Sequence, residues 1–383
     1  MSHERHLLGR PRHEIHLSER PAPEEDIDSF KTRPPPAHCM GVMHCIINPV
    51  GRDGSTGKRW PTILSRLESG GWDVTAHITE RVGHATEIAW RLRQEFEELN
   101  EKPLLVAVGG DGTVHEVASA LRGSEFILGI IPTGSGNDMA MAHGLHRKKL
   151  DLSIETLTHG VDRDVGALRL EGLPAPSVKG YPAPEARECD GPVEEEGKVV
   201  RWVFLESDGG VTSMTSRAKL TRGKWIRGSL KYTYLGLTEV LRWKKKMAWV
   251  KIDDEEPMKG DLSVMAFTMS ETFGGGYRVC PGANPTNPHG HLIIGFNLSK
   301  LKMIRLMGPL RKGTHIGRFN IEYRNAKRLQ IKALDSDGEV SDGPHSPILY
   351  IQADGEPCIQ TPATLEFHPQ QLRVRGAQVV AWE

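Results

Sequence analysis

The first half of the chain alternates short apolar runs with stretches whose apolar residues recur at helical spacing. The apolar runs predict buried strands at 41–48, 72–79, 104–108 and 128–131. Helices are predicted between them at 58–69 and 84–99, then from 113 and from 135; at 84–99 the apolar residues are Ile88, Leu92, Phe96 and Leu99. Such alternation predicts a mostly parallel sheet covered by helices, a three-layer α/β domain spanning 41–158.

After about residue 160 the apolar pattern changes to a period of two. Residues 161–170 alternate, and 199–205 can pair with them as a second strand. Further strands are predicted at 248–253, 261–269, 291–297, 316–323, 327–334 and 347–353, and one helix at 228–243. This pattern predicts a mainly antiparallel β domain spanning 159–370, followed by a C-terminal segment, 371–383.

Two segments have compositions that are typical of disorder. Residues 1–40 are rich in proline, charge and histidine, and 171–198 hold five prolines and an acidic run at 194–196. Neither composition supplies enough apolar surface to bury. We therefore predict a disordered tail and an unstructured insertion, both mobile and dispensable for folding.

Two glycine-rich turns each connect an apolar strand to a helix. The first reads Gly-Gly-Asp-Gly-Thr at 109–113, and the second reads Pro-Thr-Gly-Ser-Gly-Asn-Asp at 132–138. Capping patterns, Thr113-x-x-Glu116 and Ser135-x-x-Asp138, are predicted to start the helices. Backbone N–H groups and helix dipoles at such turns favour phosphate. Two adjacent turns predict a polyphosphate cleft at the carboxyl ends of the strands.

Two common nucleotide-binding motifs are absent from the sequence. A P-loop around Gly57 and Lys58 would need glycine where Arg52 stands. A dinucleotide fingerprint would need glycine at His115 or Met139. The turns therefore predict a different phosphate site.

Composition narrows the class of protein further. The net charge is zero, which gives no indication of nucleic-acid binding. The five cysteines include no Cys-x-x-Cys pair, which favours a reducing compartment without structural zinc. No apolar run reaches about 18 residues, and the start lacks the apolar core of a signal peptide. We expect a cytoplasmic protein that reaches any lipid substrate by transient peripheral association with membranes.

Together, the two turns resemble those of the diacylglycerol kinase catalytic-domain family, which includes sphingosine and ceramide kinases and is related to NAD kinases. The stretch 224–232, the triple-glycine segment 274–281 and the Asp-Gly-Glu at 354–356 extend the resemblance over about 42–370. It implies an N-terminal α/β domain and a C-terminal β-sandwich with ATP in a cleft between them. It also implies ATP and Mg²⁺ as cofactors for phosphoryl transfer to a lipid hydroxyl.

The resemblance also implies roles for individual residues. Asp111 is expected to be catalytic, as a general base or a metal-linked carboxylate. Asp138 is expected to act in a water–magnesium network, and Glu356 to be a catalytic carboxylate, although Asp354 and Glu356 also fit a plain β-turn pair. Glu116 is interpreted as a capping glutamate that shapes the phosphate site. The nucleotide-binding residues expected are Asn48, Gly109, Gly110, Gly112, Thr113, Glu116, Gly134, Ser135, Gly136 and Asn137.

One departure leaves the function open. His289 stands where many bacterial-type members have an acidic residue. Diacylglycerol is the nominal substrate, with a sphingoid long-chain base as the alternative acceptor. A non-catalytic lipid- or nucleotide-binding relative is the other class of hypothesis. NAD kinase shares the first turn, but the second turn argues against it.

Two stretches, 241–247 and 301–312, mix basic and large apolar residues. Such stretches can rest on anionic lipid. The same pattern fits core residues with a solvated basic face, which is the interpretation preferred from sequence alone. A homodimer is compatible with the sequence.

Overall fold

The structure is a computed structural model that describes residues 40–145, 149–178, 183–222, 229–341 and 347–378. The N-terminal part alternates strands and helices. Its elements are β1 (Gly41–Ile47), α1 (Gly51–Ser69), β2 (Trp72–Ile78), α2 (His84–Glu98), β3 (Leu104–Gly109), α3 (Asp111–Leu121), β4 (Ile127–Pro132), α4 (Asp138–Ala142) and α5 (Leu150–His159). The four strands pair in parallel in the order β2-β1-β3-β4.

Helices cover both faces of this sheet because strand side chains alternate between them. On β1, Met43, Cys45 and Ile47 pack in a cluster with residues of α1 and α5. Ile46 belongs to a separate cluster with residues of α2 and α3. Strands β1, β3 and β4 are apolar on both sides, as expected for the buried strands of a parallel sheet, whereas the edge strand β2 is partly exposed.

The C-terminal part is built mainly from antiparallel strands. Its elements are β5 (Val161–Pro174), β6 (Val199–Val203), β7 (Glu206–Gly210), α6 (Val211–Thr221), α7 (Ser229–Arg242), β8 (Met247–Ile252), β9 (Met258–Thr268), β10 (Gly290–Phe296), α8 (Lys300–Lys312), β11 (Glu322–Ala326), β12 (Arg328–Ala333), β13 (Tyr350–Ala353) and β14 (Glu356–Gly376). Six of these strands close a ring in the order β7-β9-β8-β12-β14-β13. An apolar core, which includes Leu262, Phe267 and Ile331, joins the strands of this ring. The predicted order of an α/β domain followed by an antiparallel β domain is confirmed.

Strand β14 joins the two parts. It pairs antiparallel with β5 along most of its length. Near its end, Arg373 and Val374 pair in parallel with Ile127 and Leu128 of β4. The predicted separate segment at 371–383 is therefore wrong for its first six residues, which belong to β14.

Several predicted elements differ from the structure. Helix α1 begins at Gly51, seven residues before the predicted start, so most of the predicted loop is helical. The strand predicted at 316–323 lies at Glu322–Ala326 instead. Helices α6 and α8 were not predicted. The sequence Val-Thr-Ser-Met-Thr-Ser that opens α6 consists mostly of weak helix formers, so its helical state depends on tertiary packing.

The predicted unstructured insertion at 171–198 is wrong at 171–174 and 188–190, while most of its other described residues lie in no helix or strand. Strand β5 runs to Pro174, and a short 3-10 helix spans Glu188–Asp190. Asp190 is buried and accepts hydrogen bonds from Arg187 and Arg201. The Trp202 Nε1–H donates to its carbonyl. Buried charge that is paired on two sides gives this proline-rich stretch its order. The predicted tail, apart from Met40, lies outside the described residues.

Candidate active site

The two glycine turns lie side by side at the carboxyl ends of β3 and β4. The amides of Thr133 and Gly134 both donate to the Gly109 carbonyl, at 2.8 and 3.2 Å. A Cβ atom on Gly134 would lie 2.4 Å from the Gly110 Cα. Because any side chain here would separate the turns, only glycine permits this approach. The predicted adjacency of the turns is present in the structure.

Asp111 connects the first turn to the second. Its Oδ2 accepts from the Asn137 N–H at 2.8 Å, and its Oδ1 accepts from the Met139 N–H at 3.0 Å. The carboxylate of Asp111 thus binds the backbone at the start of α4. Burial raises the pKa of Asp111, and the two backbone hydrogen bonds oppose that rise.

The predicted capping roles of Thr113, Glu116 and Ser135 are wrong. Helices α3 and α4 begin after Gly110 and Asn137, and neither N-cap side chain makes a capping hydrogen bond. The Glu116 carboxylate instead accepts from the Gly83 and Ala85 N–H groups at the start of α2, each at 3.0 Å. Burial raises the pKa of Glu116. Glu116 therefore fixes α2 against α3, behind the cleft.

Asp138 brings the C-terminal part to the second turn. Its Oδ2 accepts from the Gly275 N–H at 2.8 Å, within the triple-glycine segment. Asn137 adopts a left-handed conformation, with φ at 58°, and its side-chain amide donates to the Gly134 carbonyl. The Asn48 Nδ2–H donates to the Thr113 Oγ1 at 3.3 Å, while its Oδ1 is buried without a protein partner in the described structure. The turns therefore offer polar atoms toward the cleft.

Asp354 is the most heavily bonded carboxylate of the site. It accepts from the Phe204, Leu205 and Glu206 N–H groups at 2.8 to 3.0 Å. Its Oδ2 also lies 2.7 Å from the His115 Nδ1 of α3. Burial opposes the charged form of His115, but Asp354 outweighs it and raises the pKa of the histidine. Asp354, in the turn between β13 and β14, thus holds the β6–β7 turn and α3 together. Glu356, at the start of β14, is exposed.

Strand β7 supplies an acidic floor that sequence reasoning missed. Ser207 and Gly209 face the core of the strand ring, so Glu206 and Asp208 face the cleft. Burial, with Asp208 and Asp354 nearby, raises the pKa of Glu206 well above its ordinary value. Burial raises the pKa of Asp208 to about 7, and its Oδ1 is buried without a protein partner in the described structure. The available signal was an apolar run ending in acids and glycines, as in the two turns.

The opposite end of the cleft is apolar. The whole cleft encloses about 2040 Å³. Its apolar wall consists of side chains from α7, α8, β9 and the triple-glycine segment: Val240, Val264, Phe273, Tyr277, Val279, Met303, Leu306, Met307 and Leu310. The Lys219 side chain lies between this wall and the turns, with its Nζ 3.1 Å from the Gly355 carbonyl. One cleft is therefore lined both by the two glycine turns and by this apolar wall.

Most of the predicted site residues meet in this cleft. Asp111, Asp138 and Glu356 line it, as do the nucleotide-binding residues Asn48, Gly110, Gly112, Thr113, Gly134, Ser135 and Gly136. Gly109, Glu116 and Asn137 lie behind it. His289, in the loop before β10, is not among the lining residues; its ring packs on that of His291 in β10, with 5.2 Å between centroids.

The donor set fits a magnesium ion that shares its ligands with phosphate. Within the described residues, no group of three or more His, Cys, Asp or Glu side chains is arranged to hold a metal alone. A Cβ atom on Gly136 would lie 2.6 Å from the Asp111 Oδ2 and 3.8 Å from the Asp138 Oδ2, so two carboxylates flank this turn. Mg²⁺ is commonly held by one or two carboxylates together with phosphates and water.

Comparison with known proteins agrees with this arrangement. Residues 42–170 match the diacylglycerol kinase catalytic domain, and residues 208–376 match the YegS C-terminal NAD kinase beta sandwich-like domain. The diacylglycerol kinase of Mycobacterium tuberculosis H37Rv is 23% identical over 337 residues, covering 88% of this chain and 96% of that relative. The diacylglycerol kinase of Bacillus subtilis 168 is 24% identical over 307 residues, covering 78% and 90%.

The fold has a solved counterpart as well. A diacylglycerol kinase crystal structure from Bacillus anthracis str. Sterne superposes with a TM-score of 0.58 at 14% identity, covering 88% of this chain and 97% of that one. None of the described helices combines the length and hydropathy needed to cross a bilayer. With both domains present in order, the chain belongs to the diacylglycerol kinase catalytic-domain family.

Proposed function

We propose that the protein is an ATP-dependent lipid kinase that transfers the γ-phosphoryl group to the hydroxyl of diacylglycerol. The observation that carries this proposal is the opening of both glycine turns and the apolar wall into one cleft. A phosphate site alone would suit many nucleotide-binding proteins. An apolar wall next to it adds room for acyl chains, with the acceptor hydroxyl near the acidic floor.

The first turn and the second turn together hold the nucleotide phosphates in this proposal. The start of α3 brings backbone N–H groups and a positive helix end to the cleft. In the second turn the Asn137 and Met139 N–H groups are taken by Asp111, so the N–H groups of Ser135 and Gly136 would bind phosphate there. The Asn48 and Thr113 side chains add hydrogen-bonding groups beside them. Asp111 and Asp138 would hold Mg²⁺, which when bound neutralises charge on the transferring phosphoryl group. Asp111 keeps lone pairs for this role because each of its oxygens accepts one backbone hydrogen bond.

Asp208 is the proton acceptor that the geometry favours. The Asp208 Oδ1 has no protein partner in the described structure. In the pairing of β7 with β9, Asp208 lies opposite Ala266, which packs in the cluster behind the apolar wall. A pKa of about 7 suits a general base near neutral pH. When the hydroxyl oxygen attacks phosphorus, its proton passes to this carboxylate and ADP leaves. Glu356 is the alternative acceptor, at the exposed start of β14.

A sphingoid long-chain base is the second candidate acceptor. Glu206 and Asp208 both face the cleft from β7, and a lipid ammonium group beside the reacting hydroxyl would pair with such a floor. Diacylglycerol lacks that charge and needs only a hydrogen-bond acceptor. Burial, together with Asp208 and Asp354, raises the pKa of Glu206 and so disfavours its charged form, which weakens this pairing and favours the uncharged acceptor.

Phosphoryl transfer from labelled ATP across a lipid panel tests the proposal. The panel is diacylglycerol, sphingosine, ceramide and, as a soluble control, NAD. We expect Mg²⁺-dependent labelling of diacylglycerol. Labelling of sphingosine alone would establish the second candidate. Absence of transfer to every acceptor by folded protein would leave a non-catalytic binding protein and refute the kinase assignment.

A further inference from the structure

Helices α7 and α8 present an apolar stripe to solvent. On α7, Tyr234, Leu237 and Leu241 are exposed at a spacing of three and four residues, which places them on one face. Leu301 at the start of α8 is also exposed, with 56% of its surface accessible against 55% for Leu241. The Lys300 Nζ donates to the Leu241 carbonyl at 2.6 Å and so ties the two helix ends together. We call these four apolar residues the α7–α8 face.

Cations surround this face almost without acids. They lie at the end of α7, in the following loop and along α8, at Arg242, Lys244, Lys245, Lys300, Lys302, Arg305, Arg311 and Lys312, all of them exposed. The sequences of both helices contain a single acid, Glu239. Glu239 is buried and paired with Arg222 and Arg242, so it does not project charge outward. Isolated exposed apolar residues need no explanation, but three leucines and a tyrosine on one face with exposed cations nearby do.

The inner sides of the same helices line the cleft. On α7, Tyr232, Gly236 and Val240 face inward at a spacing of four residues, one helical face away from the exposed stripe. On α8, Met303 and Leu306 complete the apolar wall. A single pair of helices therefore separates the proposed acyl-chain pocket from the exposed apolar face.

We propose that the α7–α8 face docks on the surface of an anionic lipid bilayer and aligns the mouth of the cleft with the membrane. This docking proposal deepens the proposed function. Only the purpose of the docking rests on the kinase assignment, because binding to a bilayer is measured without turnover. A bilayer fits better than a protein partner because the exposed charged residues of α7, of the following loop and of α8 are all cations, and the one acid, Glu239, is buried. Each cation near an anionic surface strengthens binding about fivefold, and inserted leucines add to it.

Sedimentation with vesicles tests the proposal without any enzymatic readout. Wild type should bind phosphatidylglycerol vesicles at least about tenfold more tightly than phosphatidylcholine vesicles, with binding weakened by salt. The double variant Leu241→Glu, Leu301→Glu places two anions on the face and should lose about tenfold or more of that binding. Its matched control is Leu99→Glu, because Leu99 is 58% exposed and follows α2 at the sheet edge opposite the turns.

Measuring kinase activity on a soluble substrate distinguishes membrane docking from phosphoryl transfer. Toward a short-chain, water-soluble diacylglycerol, the double variant should retain wild-type turnover, because neither leucine lines the cleft. Equal vesicle binding by the double variant and wild type, or equal binding of wild type to both lipids, would refute the docking surface. Transfer to soluble diacylglycerol without vesicle binding refutes docking alone. Vesicle binding without transfer to any lipid refutes the kinase assignment alone.

Discussion

Adding one methyl group at Gly134 tests whether the contact between the two glycine turns creates the phosphate site. In Gly134→Ala the new Cβ would lie 2.4 Å from the Gly110 Cα and 2.8 Å from the Asn137 Oδ1. Non-bonded carbons normally approach no closer than about 3.5 Å. Since both obstacles belong to the turns themselves, the turns must separate by roughly 1 Å.

The separation of the turns should lower both the catalytic rate and the stability of the fold. A displacement of about 1 Å at a reacting group costs about 10²-fold in rate, so kcat/KM for ATP should fall by about that factor. Overpacking of one methyl group typically costs about 1–3 kcal/mol of unfolding free energy, which leaves the fold intact. Labelled-ATP transfer gives the first quantity, and denaturant unfolding gives the second.

Gly129→Ala is the matched control. Gly129 lies within β4, and a Cβ there would meet the Leu157 Cδ2 at 2.6 Å and the Val106 Cγ2 at 3.0 Å. It should therefore lose comparable stability while the turns stay in place and activity persists. A folded Gly134→Ala protein with kcat/KM within about threefold of wild type would show that the turn contact does not set the site. Equal activity losses in both variants would show that stability alone explains them.

Four further substitutions test the carboxylate network. Asp354 stabilises the charged form of His115, so this pair contributes its full stability below about pH 6.5 and loses it as the pH rises through the pKa of His115 in the folded protein. Between pH 6.5 and 9, the melting temperature of His115→Gln should therefore fall less than that of wild type. Glu116→Ala leaves two N–H groups at the start of α2 unsatisfied and should cost about 1–3 kcal/mol in denaturant unfolding, with ATP affinity less affected. Asp111→Asn should abolish transfer and, because its amide turns a donor toward a backbone N–H, also lower unfolding free energy by about 1–3 kcal/mol. Asp208→Asn removes a carboxyl whose pKa is about 7 in the folded protein and about 3.9 in the unfolded chain, so ionising it costs wild type increasing stability from pH 4 to 7. The variant should therefore match the stability of wild type near pH 4 and exceed it at pH 8 by on the order of a few kcal/mol. It should also be inactive as a kinase, and full activity would exclude Asp208 as the base.

Sequence alone predicted the parts of this fold that depend on local pattern. Buried parallel strands are apolar on both faces, so β1, β3 and β4 appear as continuous apolar runs. Gly110 and Gly134 are needed because their backbones approach too closely for a side chain, whereas a Cβ atom on Gly112 would meet nothing within 4 Å. Both features are encoded within a dozen residues of chain.

The features that sequence reasoning missed depend on pairing between distant residues. Strand β7 is polar on its cleft-facing side, at Glu206 and Asp208, and it becomes a strand by pairing with β9 and β13. The residues that Glu116 binds lie more than thirty positions earlier in the chain, so its spacing from Thr113 suggested a cap that does not form. Spacing within one helix carries no information on such partners.

The carboxylates around the cleft organise backbone before they can act on substrate. Asp111 fixes the second turn against the first, Asp138 fixes the triple-glycine segment against the second turn, and Asp354 fixes the β6–β7 turn against α3. Charged acceptors make stronger hydrogen bonds to N–H groups than neutral ones, so these carboxylates hold the loops more firmly than neutral acceptors would. Loss of activity on removing one of these carboxylates is therefore expected whether or not it touches the reacting atoms. Asp208, whose Oδ1 accepts nothing from the described protein, is the acid in this cleft for which loss of activity together with gained stability would indicate chemistry.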